Sequence, residues 1–355
     1  MDAASRRSCH FVALIILSIS PILCFAGGAS KKCDVFSGSW VFDQSYPTSD
    51  YSATCPFLRS EFDCQKYGRP DRHYLNYRWQ PSGCNLPRFN GVRFLEKMRG
   101  KQIMFVGDSV ILNQYNSLIC LLHAAVPNSN ISAPYPTHYV TFQDYEVTVT
   151  YLWSHYLVDV VEESFGRVLK LDSIRDGGDK WKQVDVLVFD IGFWWYVKGN
   201  RKGWDFVQDG NTIVKDMDRT TAMAKALATW GRWVNSDVNT TKTRVFFEGI
   251  FPAHYRGFEW GKPGLRDCSR ETVPVAGSRY PGGLPSIAGV VEGELRKVKR
   301  NKHVHFLNVT TLSQLRIDGH PATYNGADGR MDCTHWCVAG VPDTWNQLLY
   351  LFLLA

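Results

Sequence analysis

From residue 101 onward the chain alternates short, largely apolar runs with longer segments of helical period. Gln102-Ile-Met-Phe-Val106 reads as a buried strand broken by Gly107-Asp108-Ser109, and the residues from about 110 to 125 then place Leu112, Tyr115, Leu118, Ile119 and Leu122 on one helical face. Val184–Phe189, Thr243–Phe247 and Val304–Val309 are further apolar runs of strand length, and helical period recurs near 214–234, 287–300 and 343–354. Strands alternating with helices predict a mostly parallel sheet covered on both faces, a three-layer α/β/α domain. Residues 138–160, with Tyr139-Val-Thr-Phe142 and Glu146-Val-Thr-Val-Thr-Tyr151, predict a hairpin inserted between the first helix and the next sheet strand. There is no internal repeat and no low-complexity tract.

Residues 33 to about 88 sustain neither period. Turn chemistry recurs there (Gly38-Ser-Trp40, Gly68-Arg-Pro70, Pro81-Ser-Gly83) together with four cysteines, which reads as a loop-rich wrap held by cross-links rather than an independent core. Ahead of it, Arg6 and Arg7 precede Phe11–Ala26, sixteen residues without a charge, and then Gly27, Gly28 and Ala29. That is a signal-peptide layout, shorter than the roughly 20 residues that span a bilayer and interrupted by Pro21. Cleavage near Ala26–Ala29 is the expectation, with a short Golgi-type signal anchor as the alternative. The expected division is a leader over 1–28, the Cys-rich wrap over 29–88, and one esterase-like domain over 89–355. Its apolar end at 343–355 is too short to span a membrane and reads as a buried terminal helix.

Cysteine usage agrees with a secretory route. Of ten cysteines, Cys9 and Cys24 lie in the leader, which leaves an even eight and predicts four disulfides. Zinc would need a second close pair beside Cys333-Thr-His-Trp-Cys337, and the chain has none, so no metal is expected. Sequons at Asn130, Asn239 and Asn308 suit the same route. A hydrophobic content of 45% excludes intrinsic disorder. The net charge of +6 is spread thinly, and its one dense run, Arg296–Lys302, reads as a solvated helix end, so no nucleic-acid partner is expected.

Candidate chemistry begins at Gly107-Asp108-Ser109, on the turn from the carboxyl end of a strand into a helix, where open α/β sheets hold their ligands. Ser109 at a helix N-terminus has free backbone N–H groups beside it that favour a developing oxyanion; an ordinary N-cap serine is the plainer reading. A base is available in Asp332-Cys333-Thr334-His335. On a helical turn the acid and the imidazole share a face, so Asp332 would hold the His335 tautomer while the other ring nitrogen takes the Ser109 proton. The flanking Cys333 and Cys337, if cross-linked, would fix that loop. Asp318-Gly-His320 has the wrong spacing for such a pair and reads as a turn before Pro321, while His303 and His305 read as packed or exposed strand residues.

Gly107-Asp108-Ser109 taken with Asp332-Cys333-Thr334-His335-Trp336-Cys337 resembles the paired signature of the plant trichome birefringence-like proteins, the PC-esterase family of wall-polysaccharide O-acetyltransferases. The similarity also covers Cys33–Trp40, Cys64–Asp71, Tyr77–Pro81, Asp185–Phe189 followed by Trp194-Trp195, Asp318-Gly-His-Pro321 and Gly340–Asn346. The resemblance implies an SGNH-hydrolase-like domain and the disulfides Cys33–Cys84, Cys55–Cys120, Cys64–Cys337 and Cys268–Cys333. It also implies a triad of Ser109, His335 and Asp332, with Gly107, Asp108, Asn113, Asp190 and Gly192 around the acyl oxygen or just behind it. Two departures stand out: Asp190-Ile-Gly-Phe193 replaces a family Asn-Thr-Gly-His or Asn-Thr-Trp-His block, and Val338-Ala-Gly340 replaces Leu-Pro-Gly. An ionised Asp190 could not donate to an oxyanion, whereas a buried, protonated one could. Trp194, Trp195, Tyr196 and Trp336 are candidates for stacking on sugar rings, with core packing as the alternative. The expected activity is acetyl transfer to a cell-wall polysaccharide (xylan, mannan, xyloglucan or pectin) through an acyl-serine. No bound cofactor is implied. An acetyl donor, or a membrane protein that supplies one, is required, and the setting is the Golgi lumen, membrane-anchored, or the cell wall after secretion. An acetylesterase using the same triad and a non-catalytic polysaccharide-binding protein are the alternatives.

Overall fold

A computed structural model describes residues 33–46, 51–134, 138–299 and 303–354. The leader expected over 1–28, its two cysteines, and the last residues of the basic run at 300–302 lie outside the described residues. The part of that run inside them behaves as a solvated helix end, with Arg296 and Lys297 paired to Glu292 and Glu294 of the same helix.

In the N-terminal segment β1 (Gly38–Phe42) and β2 (Tyr77–Pro81) pair antiparallel. These are two strands that the aperiodic sequence did not announce. The main body follows with α1 (Gly91–Lys97), β3 (Gln102–Gly107) and α2 (Ser109–Ala125). Next come β4 (Ile131–Ser132), β5 (Tyr139–Phe142), β6 (Val147–Trp153), β7 (Val160–Glu163) and β8 (Gly166–Lys170). After α3 (Arg175–Trp181) and β9 (Val186–Phe189) lie β10 (Phe206–Asp209), β11 (Thr212–Val214) and α4 (Arg219–Asp237). The chain ends through β12 (Arg244–Glu248), α5 (Ala288–Lys299), β13 (Val304–Leu307), α6 (Thr310–Gln314) and α7 (Val341–Leu354).

Seven strands form the central sheet in the order β13-β12-β9-β3-β6-β5-β4, parallel from β13 to β6 and antiparallel beyond. Its central strands are apolar throughout because both faces are covered, and successive side chains feed two separate cores. Ile103, Phe105, Val186, Val188 and Phe246 pack with α1, α2, α7 and the N-terminal segment. Val106, Leu187, Phe189, Val245 and Phe247 pack with α3, α4 and α5. This is the three-layer α/β/α architecture expected.

The 138–160 hairpin exists as β5–β6, and β6 also pairs parallel with β3, so the hairpin extends the central sheet. One expectation needs correcting. The helix read from 214 begins at Arg219, because Gly210 at φ 58° closes a tight turn between β10 and β11. Those two strands join β8 and β7 in a second, four-stranded sheet whose mixed apolar and polar strands gave no clear period.

Four disulfides are formed, Cys33–Cys84, Cys55–Cys120, Cys64–Cys337 and Cys268–Cys333. The N-terminal segment is also docked by a buried ion pair. Arg316 Nε lies 2.8 Å from Asp318 Oδ1 and both side chains are sealed from solvent. The same guanidinium donates to the Tyr74 carbonyl and lies 4.4 Å from the centre of the Trp40 ring. Breaking such a pair strands a buried charge, whereas replacing both partners with apolar residues does not. Asp318→Ala is therefore expected to cost about 3–5 kcal/mol in urea unfolding, and Arg316→Met with Asp318→Leu much less. A double variant no more stable than the single one would show that the pair does not act in this way.

Candidate active site

Parallel β3 delivers Gly107 to the carboxyl edge of the sheet, and α2 starts two residues later. Gly107 must be glycine: a Cβ there would lie 1.6 Å from Asp190 Oδ1. Asp108 is the N-cap of α2, its carboxylate accepting from the Val110 N–H at 2.8 Å. Ser109 is thereby the first residue of the helix and is half-buried.

His335 meets it from the far end of the chain. Its Nε2 lies 2.7 Å from Ser109 Oγ, and its Nδ1 lies 2.7 Å from Asp332 Oδ2. The other Asp332 oxygen accepts from the backbone N–H groups of Thr334 and His335 at 2.9 and 3.0 Å. The segment is a bend closed by this carboxylate, not the helical turn expected, yet it brings acid and imidazole to the same side. Burial alone would raise Asp332, but its hydrogen bonds and the charge of His335 outweigh that and hold it below the usual carboxylate range. Burial likewise opposes charge on His335, and the Asp332 carboxylate overcomes it, assisted by Asp108 and Glu61, so the imidazole is raised above its ordinary value.

Because the 331–340 segment is irregular, its backbone groups are satisfied from outside. Asn113 on α2 donates to the Trp336 carbonyl at 3.1 Å and accepts from the Trp336 N–H at 2.7 Å. Both ends of that amide are occupied, so of the two places expected for Asn113, at the acyl oxygen or just behind it, its hydrogen bonds to Trp336 put it behind, holding the His335 loop. Cys337 N–H donates to the Gly319 carbonyl, Val338 N–H to that of Phe62, and the Cys333 carbonyl accepts from His254 N–H. The disulfides at Cys333 and Cys337 complete the frame.

Behind Ser109 lies a buried acid cluster. Asp190 accepts from the Asp108 N–H at 3.1 Å and is surrounded by Gly107, Asp108 and, further off, Glu248. Burial first, then the charges of Asp108 and Glu248, push Asp190 well above the usual carboxylate range; burial pushes Asp108 up as well and Glu248 up to about 8. Of the two states considered for Asp190, these surroundings favour the protonated one. Asp190 and Gly192 line one small pocket with Asp108, Val110, Phe193 and Thr334.

The aromatic candidates divide. Trp195 and Trp336 are 1% and 0% exposed, packed in the two cores, and cannot stack on a sugar, which corrects that expectation. Tyr196 is 47% exposed and Trp194 half-buried. The sequence reading missed Trp153, which ends β6 directly beside Gly107 in the strand register and is 45% exposed. Its indole N–H points at the His155 ring, 2.9 Å from Nε2, and that ring meets Trp194 at 4.0 Å. Alternation along β6 puts Trp153 in phase with the buried Val147, Val149 and Tyr151, so the sequence held no signal for its exposure. Among the described residues no group of His, Cys, Asp and Glu is arranged to hold a metal ion. Of the sequon asparagines, Asn130 and Asn239 are exposed and Asn308 is half-buried.

Residues 86–352 match the PC-Esterase family, described as a GDSL/SGNH-like acyl-esterase family found in Pmr5 and Cas1p, and residues 31–85 match the PMR5 N terminal domain. Among curated relatives, trichome birefringence-like 38 of Arabidopsis thaliana is 52% identical over 326 residues, 91% of this chain and 84% of that protein. Trichome birefringence-like 41 of the same plant is 47% identical over 357 residues, 99% of this chain and 98% of its own. With both segments matched and identity near one half along almost the whole length, the chain belongs to the PC-esterase family and, within it, to the trichome birefringence-like proteins.

Proposed function

We propose that the protein is an O-acetyltransferase that moves an acetyl group to hydroxyls of a plant cell-wall polysaccharide through an acyl-serine intermediate. The observation that carries this reading is the continuous line of short hydrogen bonds from Ser109 Oγ through His335 to Asp332. Ser109 Oγ attacks the carbonyl carbon of the acetyl donor while His335 Nε2 takes its proton, then passes that proton to the leaving group as the donor's acyl bond breaks. A sugar hydroxyl attacks the acyl-serine next, giving its proton to His335, which returns it to Ser109. Charge on the acetyl oxygen is met by the backbone N–H of Ser109 at the start of α2. Asp332 keeps the imidazole in the tautomer that faces the serine. The acceptor would lie across the exposed faces of Trp153, Trp194 and Tyr196 on the same edge of the sheet.

Hydrolysis competes, because His335 is 22% exposed and water reaches the same acyl-serine. An acetylesterase is therefore the second reading, and the occupancy of the acceptor site decides between them. Residues 29–88 would serve as the wrap and 89–355 as the acyltransferase domain, behind a leader at 1–28. Four disulfides suit an oxidising secretory compartment. Among the described residues no helix is long and apolar enough to cross a membrane. A Golgi setting would require the leader to act as an anchor, with an acetyl donor or a membrane protein supplying it nearby; cleavage would send the enzyme to the wall. Glycans at Asn130, Asn239 and Asn308 belong to the same proposal.

Ser109→Ala and His335→Ala are each expected to lower acetyl transfer to xylan, mannan or pectin oligomers, and hydrolysis of an activated acetyl ester, at least about a thousandfold with the fold intact. Activity above a few per cent of wild type in either variant would remove the triad.

The base works only when neutral, so activity falls as the pH drops through the His335 pKa. Since Asp332 raises that value, the acid limb of kcat/KM is expected above about 6.5, the ordinary histidine value. Asp332→Asn should move it down as activity declines. An acid limb below that value in the wild type would contradict the His335–Asp332 pairing.

Asp190→Asn replaces a carboxyl held protonated by its surroundings with a neutral group of the same shape. Turnover at neutral pH is expected to change by less than about tenfold, or 1.4 kcal/mol. A large gain would show that Asp190 is ionised; a complete loss would show that it acts directly.

A further inference from the structure

Behind the His335 loop two other histidines face each other. His254, on the segment after β12, and His320, in the turn before Pro321, are 0% and 2% exposed. His254 Nδ1 lies 2.5 Å from His320 Nε2. The outer nitrogens each meet a backbone carbonyl: His254 Nε2 is 3.0 Å from that of Gln314, and His320 Nδ1 is 2.6 Å from that of His335. The His320 ring also stacks on Trp336 with centroids 4.0 Å apart.

Proton counting constrains this arrangement. A carbonyl oxygen only accepts, and two ring nitrogens at that separation need a proton between them, so three gaps each call for one proton. Two neutral imidazoles carry two. A third would place a cation in a site where burial pushes His254 well down and His320 down to about 4. The charged or titrating groups around the pair are Arg69, which donates to the His320 carbonyl and is tied to Asp71, together with Asp332 and His335. Tyr280 faces His254, and Glu271 stands beyond Trp260. Two protons fill the two shortest gaps, which leaves the 3.0 Å contact to Gln314 as the one without a proton.

We infer that His254 and His320 are positioning residues for His335: His254 Nδ1–H donates to His320 Nε2, and His320 Nδ1–H donates to the His335 carbonyl, fixing the peptide from which the His335 ring is aimed at Ser109. Asn113 accepts from the N–H of that same peptide and donates to the carbonyl of the next, so the three contacts together clamp two consecutive peptides of the loop. The kinetic consequence rests on the acyl-serine reading; the hydrogen-bond order does not.

Asparagine places its amide nitrogen where a histidine has Nδ1, and glutamine reaches toward Nε2. His320→Asn therefore keeps the donor to the His335 carbonyl and is expected to retain kcat within about tenfold, whereas His320→Gln and His320→Ala lose about a hundredfold with KM unchanged, as for a misplaced base. His320→Asn as impaired as His320→Ala, or His320→Gln equal to wild type, overturns the proposal. Nitrogen NMR of the histidine-labelled full chain reads the order directly and does not depend on activity or on the variants folding. The expected result is His320 protonated on Nδ1, with a scalar coupling across the His254–His320 hydrogen bond at neutral pH. A proton on His320 Nε2, or a cationic pair at that pH, overturns it. If the wild type transfers no acetyl while the spectrum shows the expected order, the failure belongs to the acyl-serine reading alone.

Discussion

An irregular loop carries the imidazole, and the rest of the molecule is arranged to keep that loop still. Ser109 needs no such help, because a parallel strand and a helix start hold it on both sides. His335 has neither, and the general-base role proposed for it would suffer from a displacement of about an ångström. Its peptide neighbours are therefore held by a helix (Asn113), by the Gly319 and Phe62 carbonyls, by the His254 backbone, and by two covalent links. These partners lie far apart along the chain, at Phe62, Cys64, Asn113, His254, Cys268 and Gly319.

The N-terminal segment is thus part of the frame around His335. Phe62 lies against the His335 ring and Cys64 is bonded to Cys337. Arg69 donates to the carbonyls of Asp318 and His320. Arg316 is clasped between Trp40, Tyr77 and Asp318, so the wrap and the loop share one buried polar layer. Such groups are costly to bury unless every donor finds an acceptor, and that requirement makes the layer a specific fit.

Beneath Ser109 the electrostatics take the opposite form. Asp108, Asp190 and Glu248 are three buried acids; burial pushes each of them up, and the charges of Asp108 and Glu248 push Asp190 further. The family position taken by Asp190 can consequently be filled by a carboxylic acid without placing a full negative charge behind Ser109. Gly107 fits the same cluster, since any side chain there would collide with Asp190.

Much of this could be read along the chain. Largely apolar strands and amphipathic helices announced the central sheet because burial on both faces leaves a local pattern, and Ser109, Asp332 and His335 could be named because a strand-turn-helix and an Asp-x-x-His spacing are local features. Contacts between distant segments leave no such trace. The amide of Asn113 turns out to hold Trp336, 223 positions away, and His254 faces His320 across 66 positions. Trp195 and Trp336 were indistinguishable in sequence from Trp153, yet packing buries the first two and leaves the third exposed beside Gly107. Local chemistry determined which residues were able to act, while the fold decided which of them meet, since pairing, burial and proton order depend on neighbours that only tertiary structure supplies.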